Sequence, residues 1–200
     1  VEILNYEQNS PEWFEARLGM VTASNFSKVL AGGQGKTRRS YMLQLAAERL
    51  TKERTEGYTN AAMEWGNETE PQARAAYELF QEVNVELIGF CKTDDWVGCS
   101  PDAFVGDEGL LEIKCPTTTT QISRFIDDVF PISYKAQVQG QLLGTGRQWC
   151  DFVSFDPRIA GKAQYFCKRV ERDEDYINHT LWPGINRFVE ELEQLLGQLK

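Results

Sequence analysis

Only one histidine, His179, occurs in the 200 residues, so no zinc centre can be built on imidazoles, and its polar setting near the C-terminus suits a surface or structural role. The five cysteines (Cys91, Cys99, Cys115, Cys150 and Cys167) are odd in number, widely spaced and without a C-x-x-C pair. They read as reduced core residues rather than a disulfide framework. No apolar run reaches the roughly 20 residues of a membrane helix, and the opening Val1-Glu2-Ile3-Leu4-Asn5 lacks a secretory pattern. The expectation is a soluble, intracellular protein with no membrane partner. Gly35-Lys36-Thr37 lacks the upstream glycine of a Walker-type phosphate loop. Any catalysis must therefore rest on carboxylates, lysine and hydroxyls.

Net positive charge is also missing: the sum is −9, at first sight the wrong sign for a polyanionic partner. The distribution matters more. Lys28 to Arg54 carries seven bases against two acids, a local +5, whereas Glu171 to Lys200 carries seven acids against three bases, a local −4. A basic N-terminal region on an acidic body suits nucleic acid held locally, and equally suits an ordinary charged helix.

What is present is a globular composition, 42% hydrophobic and 12% aromatic, in a length that suits one domain. Ser10-Pro11 starts a helix to Leu18, stopped by Gly19, and Thr22 or Ser24 caps a second short helix to Leu30. Two hydroxyls and a helix start near Arg17 make a possible anion site, although capping plus a surface arginine accounts for the same residues. Gly32 to Arg39 reads as a mobile basic loop. Ser40 to Thr51 reads as a helix with Met42, Leu43, Leu45, Ala46 and Leu50 inward, and Asn60 to Glu82 as a long helix with Pro71 as a kink or fresh start. Further helices are expected over Thr117–Asp127, Ile132–Leu143 and Asp173–Leu199. The Ile132–Leu143 segment carries Tyr134, Gln137 and Gln141 as a polar stripe. Strands are expected over Val85–Phe90, Trp96–Ser100, Gln148–Phe155 and Ala163–Val170, in a largely antiparallel central sheet.

Chemistry concentrates at Ser100-Pro101-Asp102 and Leu110 to Pro116. Ala103–Val105 and Leu110–Cys115 flank Gly106-Asp107-Glu108-Gly109, a tight reversal. Strand alternation puts Glu112 and Lys114 on one face and Leu111, Ile113 and Cys115 on the other. Folding Asp102 back beside Glu112 pairs two carboxylates, which repel unless a proton or cation lies between them. Such oxygens prefer a hard ion such as Mg²⁺, and Lys114 then stands where charge on a phosphorus centre would build. A surface hairpin with a solvated Glu112–Lys114 pair is the plain alternative.

Five ordered motifs decide between them: Arg17-Leu18-Gly19-x-x-Thr22-Ala23-Ser24, Trp65-Gly66-x-x-x-Glu70, Ser100-Pro101-Asp102, Leu111-Glu112-Ile113-Lys114-Cys115-Pro116 and Tyr134-x-Ala136-Gln137-Val138-Gln139. Together they resemble the phage lambda exonuclease and YqaJ-type viral recombinase nucleases, across roughly Trp13 to Tyr176, including Phe155-Asp156-Pro157-Arg158. The resemblance implies an α/β (α+β) restriction-endonuclease-like PD-(D/E)XK core, a central mixed sheet flanked by helices. It implies one exonuclease domain: a 5′-phosphate-binding part over residues 1–60, a nuclease core over 61–170 and a helical segment over 171–200. The implied activity is Mg²⁺-dependent (Mn²⁺ substituting), processive 5′→3′ degradation of one strand of double-stranded DNA, releasing 5′-mononucleotides and leaving a 3′ overhang.

Carried over by residue, Asp102, Glu112, the Ile113 carbonyl and Glu70 would hold metal, and Lys114 and Gln137 would complete the catalytic group. Arg17, Ser24 and Thr22 would hold the 5′ phosphate, and Met63 would part the strands. A homotrimeric ring around DNA ends, a single-strand annealing protein as partner and a phage-encoded protein of the bacterial cytoplasm are also implied. Two departures stand out: Ala61 where lambda exonuclease has a lysine, and a shorter stretch between Cys115 and Tyr134. An endonuclease of the same fold and a non-catalytic DNA-end-binding module are the rival readings.

Overall fold

Caps and left-handed turns set the pace of the N-terminal region. In the computed structural model, which describes residues 1–32, 36–55 and 61–199, β1 (Glu2–Leu4) leads to α1 (Pro11–Ala16), whose Ser10 hydroxyl accepts the Trp13 N–H at 3.2 Å. The helix ends two residues before Leu18, and Gly19, at φ +67°, turns the chain against Arg49. There β2 (Val21–Thr22) runs into a 3₁₀ turn over Ala23–Asn25 and then α2 (Phe26–Val29). Neither expected cap forms: Thr22 occupies the cap position without a side-chain bond, and Ser24 lies inside the turn.

Next come α3 (Lys36–Thr51) and α4 (Ala61–Gln81). Lys36 to Arg39 are thus helical rather than loop, Gly33 to Gly35 lie outside the described residues, and so does the expected helix start at Asn60. Leu43 and Leu50 are exposed, not inward, because Tyr41, Leu45, Ala46 and Glu48 take the buried face of α3. Pro71 does not start a fresh helix: α4 runs through it as one element.

The chain then alternates between two sheets: β3 (Val85–Leu87), β4 (Phe90–Lys92), β5 (Val97–Cys99), β6 (Ala103–Val105) and β7 (Gly109–Lys114). It continues through α5 (Thr118–Asp127), α6 (Lys135–Thr145), β8 (Trp149–Phe155), β9 (Tyr165–Glu171), α7 (Glu174–Tyr176) and α8 (Trp182–Gln198). The first sheet is ordered β1-β4-β5-β2 and the second β3-β6-β7-β8-β9. Both are mixed, with β2–β5 and β7–β8 parallel.

The expected strand Val85–Phe90 is therefore two strands in two sheets. Its break falls at Gly89, where a Cβ would lie 2.2 Å from the Tyr6 carbonyl oxygen; only glycine permits that backbone approach. On one face of the second sheet, Leu111, Ile113, Val153 and Phe155 pack against Ala73 and Tyr77 of α4. On the other, Leu110, Phe104 and Phe152 join a larger core with Val138 and Leu142 of α6 and Phe188 and Leu192 of α8. This sheet-and-helix arrangement is the α/β architecture expected of the PD-(D/E)XK fold.

Candidate active site

The hairpin forms as its alternation requires. β6 and β7 pair antiparallel with Ala103 opposite Leu111 and Val105 opposite Gly109, reversing at Gly106, whose φ is +53°. Asp102, between the first sheet's β5 and the second sheet's β6, is pinned to β7 twice. Its own N–H donates to the Leu111 carbonyl at 3.1 Å, and its Oδ2 accepts the Ile113 N–H at 2.5 Å. Upstream, the Gln8 amide donates to the carbonyls of Ile88 (2.7 Å) and Pro101 (2.9 Å), tying the approach to Asp102 to the N-terminal region.

Three carboxylates share this place. Burial pushes the Asp102 carboxyl well above the ordinary range, and the charges of Glu112 and Glu70 push it further. Glu70, on α4, is raised by burial and by Glu112, against the pull of Arg74 at 3.6 Å. Lys114 pairs with Glu112 Oε1. Burial alone would lower its pKa, but Glu112 and Asp102 outweigh burial and hold the ammonium above its usual value.

Glu112 is only 1% exposed, and helix α6 supplies its neutral donors. Gln137 Nε2 donates to Oε1 and Gln141 Nε2, one turn later, donates to Oε2, each at 2.6 Å. α6 can stand this close because Gly140 faces Phe26, where a Cβ would lie 2.3 Å from the ring. Gln141 Oε1 is buried and has no hydrogen-bond partner among the described residues.

On the N-terminal side, Arg17 stacks on Trp13, 3.9 Å from the ring centroid, and donates to Ser100 Oγ at 2.8 Å. Burial lowers its pKa to about 10. Among the described residues it makes no ion pair with a carboxylate, so it is a desolvated cation in want of an anion. Ser100 Oγ also accepts the Trp13 indole N–H at 3.1 Å. Both neighbours can only donate, so the hydroxyl proton is free to point elsewhere. Thr22 Oγ1 and Ser24 Oγ lie 3.4 Å apart, and Asn25 donates to Thr22 Oγ1 at 3.0 Å.

A single cavity of about 210 Å³ is lined by Arg17, Thr22, Ser24, Glu70, Asp102, Glu112, Lys114 and Gln137 together. Every residue singled out from the sequence reaches it except two. Ile113 points its side chain into the core behind. Met63, in the first turn of α4 and 52% exposed, lines instead an adjoining cavity of about 540 Å³, which shares Arg17, Trp13, Thr22 and Asn67 with the first. Ser100, Asn67 and Gln141 also line the smaller cavity without having been assigned a role from sequence. For Gln141 a signal existed in its helical spacing from Gln137; for Ser100 and Asn67 only adjacency to a motif residue could have found them.

Among the described residues, no group of three His, Cys, Asp or Glu side chains is closely enough set to hold a metal ion. Glu112 Oε1 is taken by Lys114 and Gln137 and, among the described residues, Oε2 by Gln141 alone. The donor chemistry nonetheless fits a hard divalent cation: mutually repelling carboxylates, no soft ligand, and an orphaned buried amide oxygen beside them.

Residues 12–148 match the YqaJ-like viral recombinase domain. The chain is similar to the crystal structure of an alkaline exonuclease (LHK-Exo) from Laribacter hongkongensis, with 42% identity over 95% of this chain and 96% of that one and a TM-score of 0.88. The same exonuclease in complex with dAMP matches at 42% identity and a TM-score of 0.90, covering 96% of each chain. A phage-related exonuclease from Haemophilus somnus 129PT shares the fold at 15% identity and a TM-score of 0.73, over 90% of this chain and 96% of that one. A search of curated proteins finds no match.

Proposed function

Since the chain belongs to the YqaJ-like viral recombinase family and is a deoxyribonuclease, we propose that it degrades double-stranded DNA 5′→3′ from its ends, with Mg²⁺, releasing 5′-mononucleotides and leaving a 3′ single-stranded overhang. The observation that carries this reading is the desolvated Arg17, without a carboxylate partner among the described residues, in the same cavity as Asp102, Glu112 and Lys114. An anion anchor beside a hydrolytic centre suits a substrate whose terminus is itself a phosphate. The dAMP held by the 42%-identical exonuclease is a deoxynucleoside monophosphate, the class of product this reaction releases.

In this reading Arg17, Ser24 and Thr22 bind the 5′ phosphate, and Ser100 adds its free hydroxyl proton. Asp102, Glu112, Glu70 and the Ile113 carbonyl would hold Mg²⁺ or Mn²⁺. Such a cation supplies Lewis-acid stabilisation of charge on the phosphoryl oxygens and a more acidic water. Lys114, kept protonated by Glu112 and Asp102, stabilises negative charge as it builds on the scissile phosphate. Gln137 holds Glu112 in place, and Met63, which lines the adjoining cavity, would part the strands. Residues 1–60 would recognise the end, 61–170 cut, and 171–200 support them.

The reading extends to a phage-encoded enzyme acting in the bacterial cytoplasm as a processive ring-shaped homotrimer, passing its overhang to a single-strand annealing protein. Exposed apolar side chains on and after α5 (Ile122, Ile126, Val129 and Ile132) are a surface that neighbouring copies would cover.

Digestion of a linear duplex labelled at its 5′ phosphate or 3′ end, with Mg²⁺ or EDTA and beside a closed circle, tests the proposal. Mg²⁺-dependent release of 5′-mononucleotides from the linear substrate alone is expected. Cutting of the circle would make the protein an endonuclease of the same fold, and binding without hydrolysis would make it an end-binding module.

A further inference from the structure

Glu112 is held asymmetrically. A carboxylate oxygen has about two lone-pair positions. On Oε1, Gln137 Nε2 and Lys114 Nζ take both. On Oε2, Gln141 Nε2 takes one and no other donor approaches among the described residues. Oε2 is therefore the oxygen left available to a cation, and Gln141 is the residue beside it.

Gln141 is itself 1% exposed, lines the catalytic cavity and leaves its Oε1 with no partner. The amide orientation is not arbitrary, because turning it over would set Oε1 against the Glu112 carboxylate. A buried acceptor without a donor is costly, and an apolar side chain would avoid that cost while filling the same space. The site retains an amide. A water bound to a divalent cation has committed its lone pair and can only donate, so it requires an acceptor near the metal ligands, which is what Gln141 Oε1 offers.

We infer that Gln141 is a positioning residue for a hydrated divalent cation, its Nε2 fixing Glu112 so that Oε2 stays free for the metal and its Oε1 accepting a hydrogen bond from a metal-bound water. The inference rests on the metal-dependent reading above and adds a residue outside the five motifs that carry the family resemblance.

Its test is the affinity of the DNA-free protein for Mn²⁺, by calorimetry or electron paramagnetic resonance, in wild type, Gln141→Met and Gln141→Leu. Methionine keeps the length of the side chain and removes both polar ends, and is expected to weaken Mn²⁺ binding by about ten- to a hundredfold, the usual effect of losing a hydrogen-bonding group behind a metal ligand. Its kcat should recover as Mn²⁺ approaches saturation, with KM for DNA ends unchanged. Leucine likewise removes both the donor and the acceptor and should weaken Mn²⁺ binding to a similar degree.

If Gln141→Met binds Mn²⁺ within about threefold of wild type while kcat falls, the residue merely packs and the inference is overturned. Should Gln141→Met fail to fold, Gln141→Leu decides alone: weakened Mn²⁺ binding in the folded protein supports the inference, and affinity within about threefold of wild type overturns it. Failure of the wild-type protein to bind Mn²⁺ is a separate result, which would sink the metal-dependent function together with this inference.

Discussion

A single methyl group added at Gly140 should disturb the site from behind. The ideal Cβ there lies 2.3 Å from both Cδ2 and Cε2 of Phe26, and Phe26 is 1% exposed, so its ring has no open side into which to withdraw. Restoring ordinary contact, about 3.4 Å or more, requires the ring or helix α6 to move by about 1 Å. Overpacking of this kind costs about 1–3 kcal/mol, and the better helix propensity of alanine returns about 1 kcal/mol, leaving Gly140→Ala up to about 2 kcal/mol less stable. For a chain of this length that is a fall in Tm of up to about 8 °C.

The functional effect should be larger than the thermal one. Gln141 follows Gly140 directly and Gln137 precedes it by three residues, and each donates to Glu112 at 2.6 Å. A displacement of about 1 Å at reacting groups can cost on the order of a hundredfold in rate. Circular-dichroism melting and steady-state digestion of a 5′-phosphorylated linear duplex, run on the same preparation, read both effects. A variant that melts at or above the wild-type temperature and digests DNA at the wild-type rate would refute the argument that Gly140 sets the distance of α6 from Phe26 and hence from Glu112.

Lys114→Ala should abolish cleavage while sparing DNA binding in a gel-shift assay; near-normal turnover would remove Lys114 from the chemistry. Asp102→Asn should stabilise the metal-free protein at about pH 8 while abolishing hydrolysis. The raised Asp102 pKa means that the folded state holds this proton more tightly than the unfolded chain does. Its stabilising contribution is therefore complete below the unfolded value and lost as pH rises through the folded one, leaving a destabilising charge at alkaline pH. An unchanged or lower Tm for Asp102→Asn at that pH would contradict the carboxylate repulsion. Arg17→Ala should reduce the preference for 5′-phosphate over 5′-hydroxyl ends by about ten- to a hundredfold, the worth of a charge-assisted hydrogen bond, and equal losses on both kinds of end would move the anchor elsewhere.

The hairpin was legible from sequence because its information is local: two glycines at a turn and a two-residue alternation place Glu112 and Lys114 on one face whatever surrounds them. The split of Val85–Phe90 between two sheets was not. It depends on the carbonyls of Leu4 and Tyr6 pressing on Gly89, a contact between segments far apart in the chain. Leu43 and Leu50 misled because helical periodicity reports which residues share a face and leaves open how wide the buried stripe is. Gln121 and Gln139 are almost fully buried, against the usual preference of glutamine, because Gln121 donates to the carbonyls of Ser154, Ala163 and Gln164 and Gln139 to that of Glu171. Gln141 was visible as part of a stripe, but its acceptor, Glu112, lies on a strand that the stripe itself does not name.

The chain leaves the first sheet at Cys99 and enters the second at Ala103, and the intervening residues divide their loyalties. Ser100 faces Arg17 and Trp13, whereas Asp102 is bonded to β7. In the proposed reading, end recognition and bond breaking would thus hang from separate scaffolds joined by a seam two peptide units wide. A random-mutagenesis screen scored on phosphorylated and unphosphorylated ends should sort into two phenotypes. Lesions in β2, β5 and α1 should blunt discrimination between ends at a preserved rate, and lesions in β6, β7 and α6 should slow both substrates alike. The same seam gives an evolving lineage two separately adjustable parts, one for choosing the terminus and one for hydrolysing it.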